Sequence, residues 1–289
     1  MNPGFRCPNC REPLIEHPSE YVCDRGHHFD RAKEGYVNLL PGGRLKGRPA
    51  GDDDAMVRAR RTVFDAGLYR PIIDAVADTA RERTVGTPTP AILDCGCGEG
   101  AYLARASAVA GGSGWGVDIS KAAVRTAARR HRDLHLAVAS SYALPFDDGL
   151  FDVAISVFSP RPYAEMVRVL ADGGSAIVVR PGPDHLAELK ALIYADPRQH
   201  RDPQVADDPD DADNDDAEGW PSKPSAVRVV GYTLDLGDAA LRLALLEMTP
   251  FWWSATAAHR AAVAERARSV TVDMRLAVFR SPDGSADDL

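Results

Sequence analysis

From residue 90 to residue 194, short apolar runs alternate with segments of helical period, and this alternation restricts the chain to very few folds. "PAILDCG", "GWGVDIS", "LHLAVASS", "FDVAISVFS" and "SAIVVRPG" have strand length and are rich in Val, Ile, Leu and Ala. Between them, "AYLARASAVAG", "KAAVRTAARRHR", "YAEMVRVLADGG" and "DHLAELKALIYA" repeat apolar residues at helical spacing. A strand that is apolar on both sides must be covered on both faces, and parallel neighbours need a helical crossover. The pattern predicts an α/β domain, a doubly wound, Rossmann-like parallel sheet with helices on both faces. Further on, "AVRVVGYTLDLG" and "SVTVDMRLAVFR" read as two more strands, the second closing the sheet. They flank a helical stretch, 238–267, that Pro250 breaks.

The first of these strands runs into "ILDCGCGEG", residues 92–100, where Gly96, Gly98 and Gly100 alternate after Asp94. The loop falls at the carboxyl end of the strand, where doubly wound sheets bind ligands. Glycines let the backbone turn tightly and approach a ligand with no β-carbon in the way. A dinucleotide loop reads G-x-G-x-x-G and faces a pyrophosphate. Here the spacing differs, and Asp94 and Glu99 would repel that anion. S-adenosylmethionine, which carries a sulfonium and an ammonium, suits these carboxylates. Asp118 ends the next strand about twenty residues on, in position to accept the two ribose hydroxyls. With Ile119 and Ser140, the candidate donor-binding set is Asp94, Gly96, Gly98, Asp118, Ile119 and Ser140. A Gly-Gly turn in "VRVLADGGSAIVV" is the usual companion of such a site. Cys95 and Cys97 read as small packing residues, because no further soft ligand lies near them in sequence.

The other cysteines have a different logic. "CPNC" (7–10) and "CDRGH" (23–27) give C-x2-C, twelve residues, then C-x3-H. Such a pair of pairs closes one tetrahedral zinc, and four protein ligands leave no open position, so the ion would be structural. Cys7, Cys10, Cys23 and His27 are the expected ligands, with His28 competing for the fourth place. Metal binding can fold a short module that lacks a core of its own. Arg31, Lys33, Arg44, Lys46, Arg48, Arg58, Arg60 and Arg61 follow, with Phe29 and Tyr36 interleaved. They read either as a nucleic-acid reader or as an ordinary solvated surface.

The formal net charge of −8 is distributed unevenly. Residues 1–70 hold twelve Lys and Arg against ten Asp and Glu; much of the deficit elsewhere sits in "DPQVADDPDDADNDDAEG", 202–219. That run is too polar to bury and is expected to form a solvated loop. No window approaches the eighteen or so apolar residues of a membrane span. "MNPGFRCPNC" lacks a secretory h-region, so a cytoplasmic chain without membrane partners is expected. Three zones follow: a zinc-binding module at 1–40, a basic linker and helix at 41–75, and a Rossmann-like domain at 76–289.

"CPNC…YVCDRGHHFDRAKEGYVNLLP", "GDDDAMVRARRTVFDAGLY", "LDCGCGEG", "RPGPDHLAELKALIY" and "MTPFWW" together resemble the bacterial 23S rRNA guanine-N1 methyltransferases. Those enzymes modify a hairpin loop at the peptide exit tunnel. One branch acts at guanine 745; the other, linked to tylosin and mycinamicin resistance, acts at guanine 748. The resemblance implies a Rossmann-like S-adenosylmethionine-dependent methyltransferase with a small N-terminal zinc-binding domain that helps to recognise RNA. It also implies a homodimer acting on the 23S rRNA hairpin, free or in a ribosomal particle. "SVFSPRP" (156–162) departs from the R-I-Y-A-P-type sequence associated with the 745 branch, and the acidic run is unusual too. The Ala-, Arg- and Asp-rich composition favours the 748 branch.

Guanine N1 carries a proton at neutral pH and lies on the pairing edge, so the base must be unpaired and the proton must leave. The motif after the fourth strand, Ser156 to Pro160, is where a target base sits in this fold, with Phe158 and Ser159 as candidates for holding it. His185 is the candidate titrating group, with a capping or core role as the alternative; Trp252 and Trp253 either stack on the base or pack. Two rivals remain open: a small-molecule, antibiotic-tailoring methyltransferase, and an RNA-binding protein with an inactive methyltransferase domain.

Overall fold

The computed structural model describes residues 3–41, 51–194 and 223–281. Arg44, Lys46, Arg48 and the acidic run 202–219 lie outside the described residues.

The amino-terminal part holds three short antiparallel strands, β1 (Ile15–Glu16), β2 (Glu20–Val22) and β3 (His28–Asp30), followed by β4 (Val37–Asn38). Two helices come next, α1 (Asp54–Asp65) and α2 (Arg70–Arg83). Asp53 caps α1, its carboxylate accepting from the amides of Ala55 and Met56, both at 2.9 Å. The alternating region then gives β5 (Ala91–Cys95), α3 (Ala101–Ala110), β6 (Ser113–Asp118), α4 (Lys121–Arg130), β7 (His135–Val138), β8 (Phe151–Val157), α5 (Tyr163–Val169), β9 (Leu170–Pro181) and α6 (Ala187–Ile193). The last part is β10 (Ala226–Asp235), α7 (Ala239–Glu247), a 3-10 turn at Pro250–Trp253, α8 (Ala257–Arg266) and β11 (Ser269–Arg280).

Eight strands form one sheet in the order β10-β11-β9-β8-β5-β6-β7-β4. From β4 to β9 all neighbours are parallel; β11 inserts antiparallel between β9 and β10. The chain steps outward from β5 through β6 to β7 and then returns to β8, so the crevice at the carboxyl ends of β5 and β8 is the switch point where such sheets bind ligands. Side chains of one strand alternate between two apolar layers: Ile92 joins the layer of α2 and α3, Leu93 the opposite one.

Three readings of the pattern need correction. α5 ends at Val169, and "LADGG" belongs to β9, where Leu170 pairs with Phe151 and Gly173 turns at φ 72°. β11 lies inside the sheet, and β10 is its edge. The helix of "DHLAELKALIYA" begins only at Ala187, after a turn.

β1–β3 form a sheet of their own, but the amino-terminal part is tied to the main domain through β4 and a shared core. β4 pairs with β7, and Phe5 packs edge-on to Trp115 at 5.2 Å and lies 5.4 Å from Phe146. Phe5, Leu14 and Tyr21 thereby bury themselves in the layer under β6 and β8. No described helix is long and apolar enough to cross a membrane.

Candidate zinc centre and methyl-donor cleft

Cys7 and Cys10 lie on a tight turn closed by the Arg11 amide on the Cys7 carbonyl at 2.8 Å. Gly26, at φ 75°, turns the second loop so that His27 faces back toward them. The Sγ atoms of Cys10 and Cys23 lie 3.7 Å apart, and His27 Nδ1 lies 3.5, 3.4 and 3.3 Å from the sulfurs of Cys7, Cys10 and Cys23. A tetrahedron with Zn–S near 2.3 Å and Zn–N near 2.0–2.1 Å has S···S edges of about 3.8 Å and S···N edges of about 3.5 Å. The four groups fit a zinc ion. Burial opposes ionisation of Cys23, but the amides of His27 and Arg25 outweigh it and bring the thiol down to about 6. His28 points elsewhere: its Nδ1 lies 2.8 Å from Glu20 on the surface.

The second site is a cleft of about 470 Å³ at the carboxyl ends of the strands. Gly96, Gly98, Asp118, Ile119 and Ser140 line it. Gly96 turns at φ 109°, and both its amide and that of Cys97 bond the Val117 carbonyl at 2.9 Å, fixing the loop to β6. Asp118 accepts from the Gly98 amide at 2.9 Å and from Ser120 at 2.7 Å, which orients its carboxylate at the cleft. Asp94 lies buried beside this loop, 1 % exposed, and its Oδ1 has no partner. Burial, and then the charge of Asp118, push the Asp94 carboxyl up to about 8. Burial also raises Glu99, another cleft residue, whose Oε2 is unpartnered as well. Buried acceptors without partners next to glycine amides suit a cationic, ammonium-bearing ligand and oppose a pyrophosphate.

Phe158, Ser159 and His185 line the same cleft. Phe158 takes a left-handed φ of 53° and lies parallel to His185 at 6.3 Å between ring centroids. Ser159 donates to the Cys95 carbonyl at 2.6 Å, so its hydroxyl ties the loop after β8 to the donor loop. A β-carbon on Gly96 would stand 2.5 Å from that of Ser159, so glycine permits this approach. Burial, and then the charge of Lys190, push His185 down to about 3, so it stands as a neutral imidazole. Of the tandem tryptophans, Trp252 packs under Arg260, 3.7 Å from its ring, while Trp253 is exposed; neither lines the cleft.

The cleft also contains residues that the sequence did not assign to it, among them Arg60 of the basic stretch and the helix-breaking Pro250. Gly51, Asp52, Met56, Arg60, Phe64 and Tyr69 close it from α1 and its flanks. Met248, Thr249, Pro250 and Phe251 close it from beyond α7. The period of α1 does place Met56, Arg60, Val63 and Phe64 on one face, and this was the available signal.

Two family models match the chain: the zinc-ribbon model "RlmA, N-terminal" over residues 5–46, and "Methyltransferase domain" over 92–174. A Streptomyces fradiae protein named 23S rRNA (guanine(748)-N(1))-methyltransferase is 41 % identical over 207 residues, 70 % of this chain and 72 % of its own. A Bacillus subtilis relative, YxjB, named for 23S rRNA guanine-N1 methylation, is 33 % identical over 286 residues, 95 % of this chain and 96 % of its own. The chain belongs to the 23S rRNA (guanine-N1)-methyltransferase family. A third methyltransferase of that name, from Micromonospora griseorubida, is 37 % identical over 226 residues, 71 % of this chain and 75 % of its own. The cofactors of this methyltransferase are S-adenosylmethionine and a structural zinc, and the two sites fit them: the unpartnered Asp94 and the glycine cradle the first, the Cys3His tetrahedron the second.

Proposed function

We propose that this methyltransferase modifies N1 of a guanine in a hairpin loop of 23S rRNA, at position 748, and thereby confers macrolide resistance. The observation that carries the reading is similarity to the Streptomyces fradiae enzyme at 41 % identity, a protein whose name specifies guanine 748. A zinc module on the same chain as the donor cleft supports RNA over a small-molecule substrate. Action as a cytoplasmic homodimer is part of the proposal.

In this reading Glu99, with Asp94 buried behind the glycine loop, would take the ammonium of the donor, Asp118 its ribose, and Ile119 and Ser140 its adenine side. Bound S-adenosylmethionine supplies a methyl group on a positively charged sulfur. The target guanine enters from the side of Phe158, against an aromatic wall shared with Tyr69 and Phe251. His185 is an uncharged imidazole at neutral pH, and a group held near 3 is too weak a base to retain the N1 proton. Its role is that of a neutral hydrogen-bond partner beside Phe158. Catalysis is then mostly the alignment of N1 with the methyl group. Ser159 sets the distance, because it binds the base-side loop directly to the donor loop.

Primer extension on 23S rRNA treated with the protein, with and without S-adenosylmethionine, tests the proposal, because N1-methylguanine stops reverse transcriptase. A donor-dependent stop one residue before guanine 748 is the expected result. A stop at 745 would move the site, and no stop on RNA or on ribosomal particles would overturn RNA methylation in favour of a small-molecule substrate.

A further inference from the structure

The methyl donor is a zwitterion at its amino-acid end, and the cleft is acidic: Asp52, Glu99 and Asp118 all line it. Carboxylates that suit the ammonium repel the donor's own carboxylate unless a cation stands among them. Among the described residues that line the cleft, Arg60 alone carries a permanent positive charge. It lies on α1 one turn after Met56, which lines the cleft as well. Its Nη1 stands 3.5 Å from the point that a β-carbon on Gly98 would occupy, so the guanidinium covers the glycine loop beside Glu99. Asp52 meets the same Nη1 at 2.5 Å and fixes the side chain. A guanidinium has five donors, so this pair leaves others for a second carboxylate.

A further observation does not depend on Arg60. α3 begins after Gly100 with no side-chain cap, and its first residues, Ala101 and Tyr102, line the cleft. Tyr102 is 7 % exposed, and its hydroxyl has no partner. Burial raises that hydroxyl well above its ordinary value, so it keeps its proton and stays a donor. A buried donor without an acceptor is costly. The Tyr102 ring meets Phe64 edge-on at 5.8 Å, and Phe64 shares a face of α1 with Arg60, four residues before it. The wall therefore holds orphans of both kinds, acceptors at Asp94 and Glu99 and a donor at Tyr102. The donor bears its ammonium and carboxylate on one carbon, so their subsites must adjoin, as Glu99 and the loop under Arg60 do.

We propose that Arg60, with the Tyr102 hydroxyl, holds the α-carboxylate of the methyl donor and makes the cleft selective for a donor with an intact amino-acid end. The inference rests on the donor's placement in this cleft and adds the partner of its anionic group.

The test is calorimetric binding of S-adenosylmethionine and of its decarboxylated form, which keeps the sulfonium, amine, ribose and adenine. Wild type is compared with R60Q, R60K and Y102F. Wild type is expected to prefer the intact donor by about ten- to a hundredfold, as a charge-assisted pair provides. In R60Q, affinity for S-adenosylmethionine should fall about tenfold or more, while the decarboxylated donor binds at least as tightly as to wild type. R60K keeps the charge without the fork and should recover part of the preference. Y102F should lose about fivefold for the intact donor alone. A loss shared equally by both donors in R60Q is what a merely structural arginine gives, and it overturns the proposal. Equal affinity of wild type for the two donors overturns it with no variant needed, so a poorly folded R60Q does not block the test. A preference that survives in R60Q places the carboxylate elsewhere and leaves the donor cleft standing. A wild type that binds neither donor overturns the donor's placement and Arg60 together.

Discussion

A carboxyl group that is 1 % exposed, with one oxygen unpaired, is at ease only when protonated or when a cation arrives, and Asp94 is in that condition. Its value of about 8 lies above the usual carboxylate range near 4. A raised folded-state value gives a contribution to stability that is full below pH of about 4 and is lost as pH climbs through 8. A cationic donor reverses the preference, since it binds the ionised form and expels a proton. Donor affinity is therefore expected to rise with pH up to about 8 and level off above it, approaching tenfold per unit below. Calorimetry in two buffers of different ionisation enthalpy should show close to one proton released at pH 7. D94N should flatten the pH profile and weaken binding at pH 8.5 by at least about tenfold. A flat wild-type profile would remove Asp94 as the partner of the ammonium. By contrast His185, held near 3, should contribute nothing to the pH dependence between 6 and 9, and H185Q should leave its shape unchanged.

At the scale of elements, α1 is a strap across the donor cleft. The Asp52 carbonyl accepts from Ser120 at 2.6 Å, and its carboxylate pairs with Arg60 at 2.5 Å. Arg125 and Arg130 of α4 pair with Asp54 and Asp65 at 2.8 and 2.7 Å, so both ends of α1 are tied to the helix after Asp118. Gly51 enters this strap at φ 80°, and a β-carbon there would lie 2.9 Å from that of Ser120. G51V should therefore lift the strap. Strain at such a position costs about 1–3 kcal/mol, so donor affinity should fall on the order of tenfold with helix content unchanged. G67A is the control: its φ of 73° is also strained, but nothing lies near the added atom, so it should lower the melting temperature and spare donor binding. Unaltered affinity in G51V would show that the strap plays no part in holding the donor. Much of the cleft could be read from the sequence because its parts are local, a strand, a glycine loop and an acid at the next strand end. Tyr69, Met248 and Phe251 could not, since their convergence depends on how α1 and α7 fold back over the sheet. β4 was invisible for another reason: two residues have no period, and only their pairing with β7 makes them a strand. The helix α2 has good period and a proline at its first turn, but it precedes the alternation that signalled the sheet.

For the whole molecule, the decisive question is what the zinc module does for the rest. It docks on the segment that follows β7, the segment that also provides Ser140 and Tyr142 to the donor cleft. The Arg6 amide bonds the Pro145 carbonyl at 2.8 Å, Arg11 reaches the carbonyls of Leu144 and Phe146, and the Arg6 side chain pairs with Asp147. Phe5 fills the space between Trp115 and Phe146, and Arg129 of α4 pairs with Glu34 at 2.8 Å. β1 to β3 are strands of two or three residues with little apolar area of their own, so the ion must supply most of what keeps Phe5, Arg6 and Arg11 in register. Losing it should loosen Leu144 to Asp147 and, through them, Ser140. C23A, or chelation of the wild type, should therefore take the zinc content from about one per chain to near none and weaken donor binding several-fold in the absence of any RNA. Trp115 fluorescence should shift to the red as Phe5 leaves it. If metal is lost and donor affinity stays at the wild-type value, the module acts only on the substrate side, and the contacts to Leu144, Pro145 and Phe146 are a hinge that carries no information to the cleft.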